Sequence, residues 1–191
     1  MMKNFKVLVP IITFLFISIF LYKGLYSDPT DIENANLQRP FPEFKLNDLM
    51  NPDKSYNKAD LLGEVTLINV WGTWCVTCRV ELPFMTRLSE QGIRIIGVYY
   101  DNAAEAVFSG VDLIQTQQDV KQMLSQLGNP FRFNIYDVNR DLSLDLGVTG
   151  APESFLLDAN GVIVAHRRGA IDERVWEKEF APLIRQLKQG G

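Results

Sequence analysis

The sequence predicts an α/β fold: a central mixed β-sheet flanked by helices, preceded by one N-terminal transmembrane helix. Three observations predict it. An uncharged, almost wholly apolar run opens the chain at Val7–Tyr22. Short apolar stretches rich in β-branched residues then alternate with stretches of helical period. A strand–turn–strand signal follows near the C-terminus, which adds antiparallel strands to a sheet begun by crossovers.

The first element lies between Lys6 and Lys23, where sixteen residues carry no charge and only Thr13 and Ser18 are clearly polar. The run is slightly short of the roughly 20 residues that a spanning helix needs. Lys6 and Lys23 can snorkel, and Gly24, Leu25 and Tyr26 extend it. A cleaved signal peptide is the alternative, but Leu25-Tyr26-Ser27-Asp28-Pro29 has neither a pair of small residues at a cleavage position nor a cysteine for lipid attachment. A buried core helix would show one polar face, and this run does not. Lys3, Lys6 and the amino terminus precede the run, whereas Asp28 and Asp31 follow Lys23. The positive-inside bias places residues 1–6 in the cytoplasm, 7–26 in the bilayer as a signal-anchor, and the remainder outside. Residues 27–38 are polar, contain Pro29 and have no apolar period, so they read as a linker to a domain over 39–191.

Pro40, Pro42 and Phe44–Asp48 suggest an extended entry strand. Val65–Trp71 is nearly apolar on both faces, the pattern of a central, doubly covered strand. From Cys75 the period becomes helical to about Gln91, with Gly92 as a natural stop and Pro83 as a kink. Ile93–Tyr100 is a second buried strand. Gln117–Leu127 is helical, with Val120, Leu124 and Leu127 at helical spacing and Gly128-Asn129-Pro130 ending it. Phe133–Val138 is a third strand. Ser154–Leu157 and Val162–Arg167 flank Asp158-Ala159-Asn160-Gly161, where Asn-Gly signals a tight hairpin turn. Asp172 caps a last helix to about Lys188, buried through Val175, Trp176, Phe180, Leu183, Ile184 and Leu187 and bent at Pro182. Ala103–Thr116 fits none of these elements and reads as an insertion near the sheet edge.

The formal net charge is −4 and no basic cluster is visible, which argues against a nucleic-acid partner. The two cysteines, Cys75 and Cys78, stand three positions apart; a disulfide-stapled fold would spread more of them along the chain. In Asn69-Val70-Trp71-Gly72-Thr73-Trp74-Cys75-Val76-Thr77-Cys78-Arg79 a buried strand runs into a short loop, and a helix starts at the first cysteine. Amides and dipole at a helix N-terminus stabilise an anion. Cys75 is therefore the expected nucleophile, and Cys78, one turn deeper, the thiol that resolves a mixed disulfide. Three other readings compete. Zinc needs about four ligands, and the chain offers two thiols and one histidine, His166. Covalent haem attachment needs C-x-x-C-H, and Arg79 follows Cys78. A purely structural disulfide closing so short a loop stabilises little. No metal and no cofactor is expected beyond the redox-active Cys75–Cys78 pair. Met50, Met85 and Met123 read as filler and not as a copper site, and His166 as a surface or packing residue.

Trp74-Cys75-Val76-Thr77-Cys78 resembles the W-C-x-x-C site of thioredoxin-like proteins. Asn69–Glu81 together with Gly147-Val148-Thr149-Gly150-Ala151-Pro152-Glu153-Ser154-Phe155-Leu156-Leu157-Asp158 resembles, more specifically, the DsbE/CcmG family of cytochrome c maturation proteins. The resemblance extends over about residues 39–188 and includes the N-terminal anchor. It implies a thioredoxin-like domain held in the bacterial inner membrane and facing the periplasm. It also implies a membrane thiol reductase as electron donor and apocytochrome c, or the maturation protein holding it, as client. By the same resemblance Cys75 attacks, Cys78 resolves, and Pro152, after Ala151, is a cis-proline whose backbone pairs with an extended substrate. Glu81 and Glu153 match acidic positions of that family's active site. A carboxylate near a thiol raises the thiol pKa, either group can instead shuttle a proton, and a solvated surface charge is the plain alternative for both. Trp74 is expected beside the disulfide and Trp71 in the core. Asn69 stands where thioredoxins proper carry a buried aspartate, so the resemblance implies that this proton acceptor is missing. Val76 replaces the usual proline, Thr149 a common aromatic, and the 103–116 stretch is extra; these departures bear on redox poise and client.

Two other functions are compatible with the same residues: a general periplasmic disulfide oxidoreductase with other clients, and a non-catalytic holdase that binds apocytochrome through its groove. A Cys78 variant separates enzyme from binder, since an enzyme traps its clients as mixed disulfides.

Overall fold

The computed structural model describes residues 5–25, 37–101 and 112–189. The chain divides into two compact units, Met1–Asn34 and Ala35–Gly191. The first contains one helix, α1 (Phe5–Leu25), with Pro10 inside it and Lys23 in its last turn. Its described side chains are residues 9–23, and among the described residues no helix is long and apolar enough to cross a membrane. Most of the expected linker, residues 27–36, lies outside the described residues, as does the 102–111 part of the expected insertion.

The second unit is built on a five-stranded sheet. Its strands are β3 (Thr66–Trp71), β4 (Arg94–Tyr99), β5 (Asn134–Tyr136), β6 (Glu153–Leu157) and β7 (Ile163–Arg168). Their order is β5-β4-β3-β6-β7. β3, β4 and β5 run parallel, and β6 and β7 run antiparallel to their neighbours. The mixed sheet thus forms as the sequence predicts. A separate hairpin, β1 (Lys45–Asn47) with β2 (Ser55–Asn57), and a 3-10 turn over Lys58–Leu61 precede β3. The entry strand of the sequence reading is therefore half of this small hairpin.

Alternation along the strands separates two cores. Leu67, Trp71, Ile95, Tyr99 and Leu156 pack on α2 (Val76–Glu90), α3 (Leu113–Leu127) and the C-terminal helix. Ile68, Val70, Ile96, Val98, Phe155 and Leu157 pack instead on Phe41, Tyr56 and Leu61 and on a short helix, α4 (Asp141–Asp145), with Leu142 and the following Leu146 and Val148. Helices flank both faces, but unequally: among the described residues the second face has α4 and the 3-10 turn that carries Leu61. α4 has no apolar period to betray it. The buried carboxylate of Asp137 holds its start by accepting from the N–H of Leu142 and from the N–H and Oγ of Ser143.

Boundaries differ where side chains cap. α3 begins a turn earlier than Gln117 because Asp112 accepts from the N–H groups of Ile114 and Gln115. The hairpin turns over residues 158–161 as the sequence marks them, without the paired positive φ of an Asn-Gly type I′ turn. Among residues 158–161 only Gly161 has positive φ, and Asp158 accepts from the N–H groups of Asn160 and Val162, so the loop closes on the glycine. The last helix starts at Asp172 as expected, with α5 (Glu173–Val175) and α6 (Ala181–Gln189) joined by a π turn over Trp176–Phe180. Pro182 is the second residue of α6. The predicted bend is thus a widened turn just before the proline, which keeps Trp176, Phe180 and Ile184 buried.

Candidate active site

The loop between β3 and α2 carries both cysteines. Cys75 is the N-cap of α2: its sulfur accepts from the N–H of Cys78 at 3.0 Å, and its carbonyl from the N–H of Arg79. The two sulfurs are bonded to each other. Both residues are nearly buried, while Val76 beside them is 75% exposed. The sulfur of Cys75 sits where the first amides of a 15-residue helix converge, which favours a thiolate there over one at Cys78.

Trp74 fixes the approach to this pair. Its indole N–H donates to the carbonyl of Tyr100 at 2.9 Å, and its ring lies over Gly72, where any side chain would collide with it. Trp74 and Ala151 both pack against the buried cluster that contains Cys75 and Cys78. Trp71 is core, as expected. It stacks on Phe131 and donates to the side chain of Asn134, a bond that needs a glycine at position 97 because a Cβ there would strike both groups. The Ala151–Pro152 bond is cis.

Glu81 is no surface charge. It lies one turn beyond Cys78 on the same buried side of α2 and is 2% exposed. Its carboxylate accepts from Asn69 Nδ2 at 2.9 Å and from the N–H of Ile171 at 2.9 Å. Asn69 also donates to Ser154 Oγ, so one amide ties β3 to α2 and β6. Burial pushes the Glu81 carboxyl up to about 7 against the pull of the two hydrogen bonds. A buried carboxyl therefore stands beside Asn69 after all, contributed by α2 instead of β3. Sequence reasoning read this substitution as a loss.

Glu153 is also buried, at 2%. Strand alternation places it on the same face as Phe155, opposite to Ser154 and Asn69. Its Oε1 accepts from the N–H and Oγ1 of Thr149 and from the N–H of Gly150. Its Oε2 lies 2.7 Å from His166 Nε2 and 3.8 Å from Arg168 Nε. Burial acts to raise its pKa, but the bonds from His166 and Thr149 outweigh it and hold the carboxyl below the usual carboxylate range. His166 is not a surface residue and not mere packing. It is buried, paired to Glu153 and stacked on Phe155 at 4.2 Å between ring centroids. The missed signal was the hairpin itself: one face of β6–β7 brings Glu153, Phe155, His166 and Arg168 together. Among the described residues no group of three or more His, Cys, Asp or Glu can hold a metal ion.

The geometry combines a reversible disulfide at a helix N-terminus, a half-buried tryptophan beside it, an acid able to exchange a proton near neutrality, and a loop braced by a second carboxylate. Comparison with known proteins agrees with that chemistry. A family profile described as Redoxin matches residues 37–181. The thiol:disulfide interchange protein DsbE of Pseudomonas aeruginosa is 42% identical over 188 residues, covering 97% of this chain and 96% of that protein. DsbE of Escherichia coli K12 is 41% identical over 189 residues, covering 95% of each. Among solved structures, a putative DsbE from Chlorobium tepidum superposes with a TM-score of 0.57 at 22% identity, covering 79% of this chain and 94% of that one, which supports the fold.

Proposed function

The chain belongs to the DsbE family of thioredoxin-like thiol:disulfide interchange proteins and is a thiol–disulfide oxidoreductase; from that premise we propose that it is a membrane-anchored periplasmic reductant of apocytochrome c, or of the protein holding it, during cytochrome c biogenesis. The observation that carries the direction of attack is the capping of α2 by Cys75. In the dithiol state the Cys75 thiolate attacks a client disulfide, a mixed disulfide forms, and one client sulfur leaves as a thiol. Cys78 then attacks Cys75 Sγ, closes the Cys75–Cys78 bond and releases the second client thiol. Two electrons and two protons pass to the client, and a membrane thiol reductase restores them. Glu81 takes the Cys78 proton in this reading, which is supported by burial lifting its carboxyl to about 7 and by its position one turn from Cys78 on the same buried side of α2. Trp74 borders the pair. Pro152 presents the backbone before it to the client: among the described residues nothing hydrogen-bonds the N–H or C=O of Ala151. The anchor reading rests on the uncharged Val7–Tyr22 run, and the outward orientation on Lys3 and Lys6 before it.

The test is the reduction potential of the full chain in detergent. A value toward that of thioredoxin, roughly −270 mV, supports a reductant; one near that of DsbA, roughly −120 mV, makes an oxidant of folding proteins the better reading. A Cys78→Ser variant expressed in the native membrane identifies the client. Apocytochrome or a maturation protein in the trapped mixed disulfide supports the assignment, and unrelated periplasmic clients overturn it.

A further inference from the structure

The Glu153–His166 pair is more elaborate than the interchange chemistry requires. Neither residue is a cysteine partner, yet both are buried and one contact joins them at 2.7 Å. The three donors on Glu153 Oε1 all come from Thr149 and Gly150, the loop that leads into Ala151–Pro152. β7 continues the brace on the other side, where the N–H of Gly169 donates to the carbonyl of Pro152. The loop is therefore held at its start by a carboxylate and at its end by a backbone bond, and between the two lie the N–H and C=O of Ala151, unpaired among the described residues. The carboxylate itself has one close partner that is not part of the loop, His166, and a more distant one, Arg168. Stacking on Phe155 fixes the plane of the imidazole, and the contact to Glu153 directs Nε2 within that plane.

We propose that His166 is a positioning residue for client binding: through Glu153 it sets the position of loop 149–152, and thereby the backbone groups of Ala151 that pair with an extended client segment. The proposal rests on the reading that a peptide client docks at this loop. It does not depend on which client that is. A small aromatic disulfide has no chain to lay along the loop, so its reaction with Cys75 reports the thiol alone.

The experiment uses the reduced full chain in detergent and two oxidants: 5,5′-dithiobis(2-nitrobenzoate), and a twelve-residue peptide closed by a C-x-x-C disulfide. Two variants are compared. His166→Phe keeps a ring to stack on Phe155 but removes the donor; His166→Gln keeps a donor without the ring. In single-turnover reactions, where each reduced molecule gives up its two electrons once, the expected result for His166→Phe is a half-saturating peptide concentration raised by about tenfold with the limiting rate held within about twofold, as for a lost binding contact. Its rate with the small disulfide is unchanged, and His166→Gln recovers most of the loss. Equal slowing with both oxidants overturns the proposal in favour of an effect on the cysteines. No change with either oxidant, or a loss in both variants accompanied by a lowered melting temperature, overturns it in favour of a structural role. Failure of the apocytochrome assignment would appear in the trapped client and would leave the contrast between the two oxidants intact.

Discussion

Glu81 and Glu153 are both glutamates, equally buried, on elements that meet Asn69 and Val70 at the end of β3. They are driven in opposite directions. Glu81 has two donors, one to each oxygen, and burial dominates, so its carboxyl is lifted to about 7. Glu153 has three donors on one oxygen and a histidine on the other, and it stays ionised. Burial and donors decide together which carboxylate carries a proton: the bonds from His166 and Thr149 outweigh desolvation at Glu153, whereas the two bonds to Glu81 do not. One fold thereby keeps an exchangeable acid on the cysteine face of its sheet and a fixed anion on the other.

The largest effect is expected from Glu153→Ala. Two backbone N–H groups, a hydroxyl and His166 lose their acceptor inside the fold, and stability falls by about 3–5 kcal/mol in urea denaturation. A loss under about 1 kcal/mol would mean that water replaces the carboxylate, and the comparison would break. The next effect is a pH dependence. The folded-state pKa of Glu81 lies above its unfolded value, so the fold holds the extra proton between about 4.5 and 7. Its contribution is therefore complete below pH 4.5 and is lost as pH rises through 7, by roughly 3 kcal/mol if nothing else titrates. Glu81→Gln should flatten that part of the stability profile and leave the acid limb. The acid limb includes Glu153, whose stabilisation is present above the unfolded carboxylate range and disappears as pH falls through its lower folded-state value. A variant profile parallel to the parent between pH 5 and 8 would show that Glu81 is ionised throughout. The smallest effect belongs to Asn69→Ala. It removes one bond that holds Glu81 down, so the carboxyl should rise further while stability drops by about 1 kcal/mol, measurable by carboxyl infrared absorption and by urea denaturation.

Much of the fold was legible because it is periodic. β3, β4 and α2 announce themselves by apolar run or stripe, and the position of Cys75 at the start of α2 follows from the strand–loop–helix order. β1 was read as an entry strand, but its partner β2 and the helix α4 were not legible, since elements of three to five residues hold too little period to detect and depend on single caps such as Asp137. The same division runs through the site. Cys75, Cys78 and Trp74 are contiguous and their chemistry is local. The partners of Glu81 are distant in sequence, Asn69 twelve residues away and Ile171 ninety. The pairing of His166 with Glu153 depends on cross-strand register, which the irregularity at Leu156–Leu157 shifts. Val76, which departs from the family pattern, is exposed at the first position of α2.

The segment entering the second unit has an effect beyond linking. The N–H of Gln38 donates to the carbonyl of Ile163, the N–H of Ile163 to the carbonyl of Arg39, and the N–H of Phe41 to the carbonyl of Gly161, along the start of β7. A few residues later Asp48 bridges Ile135, and the N–H of Leu49 donates to the carbonyl of Asn134, on β5 at the opposite border. One short stretch of chain thus occupies the outer rim of the sheet on both sides. Open rims invite strand addition from any extended polypeptide. With the start of β7 and the outer side of β5 engaged from within, those stretches of border are closed to strand addition, and the sheet is finished by its own chain where it would otherwise be open to another.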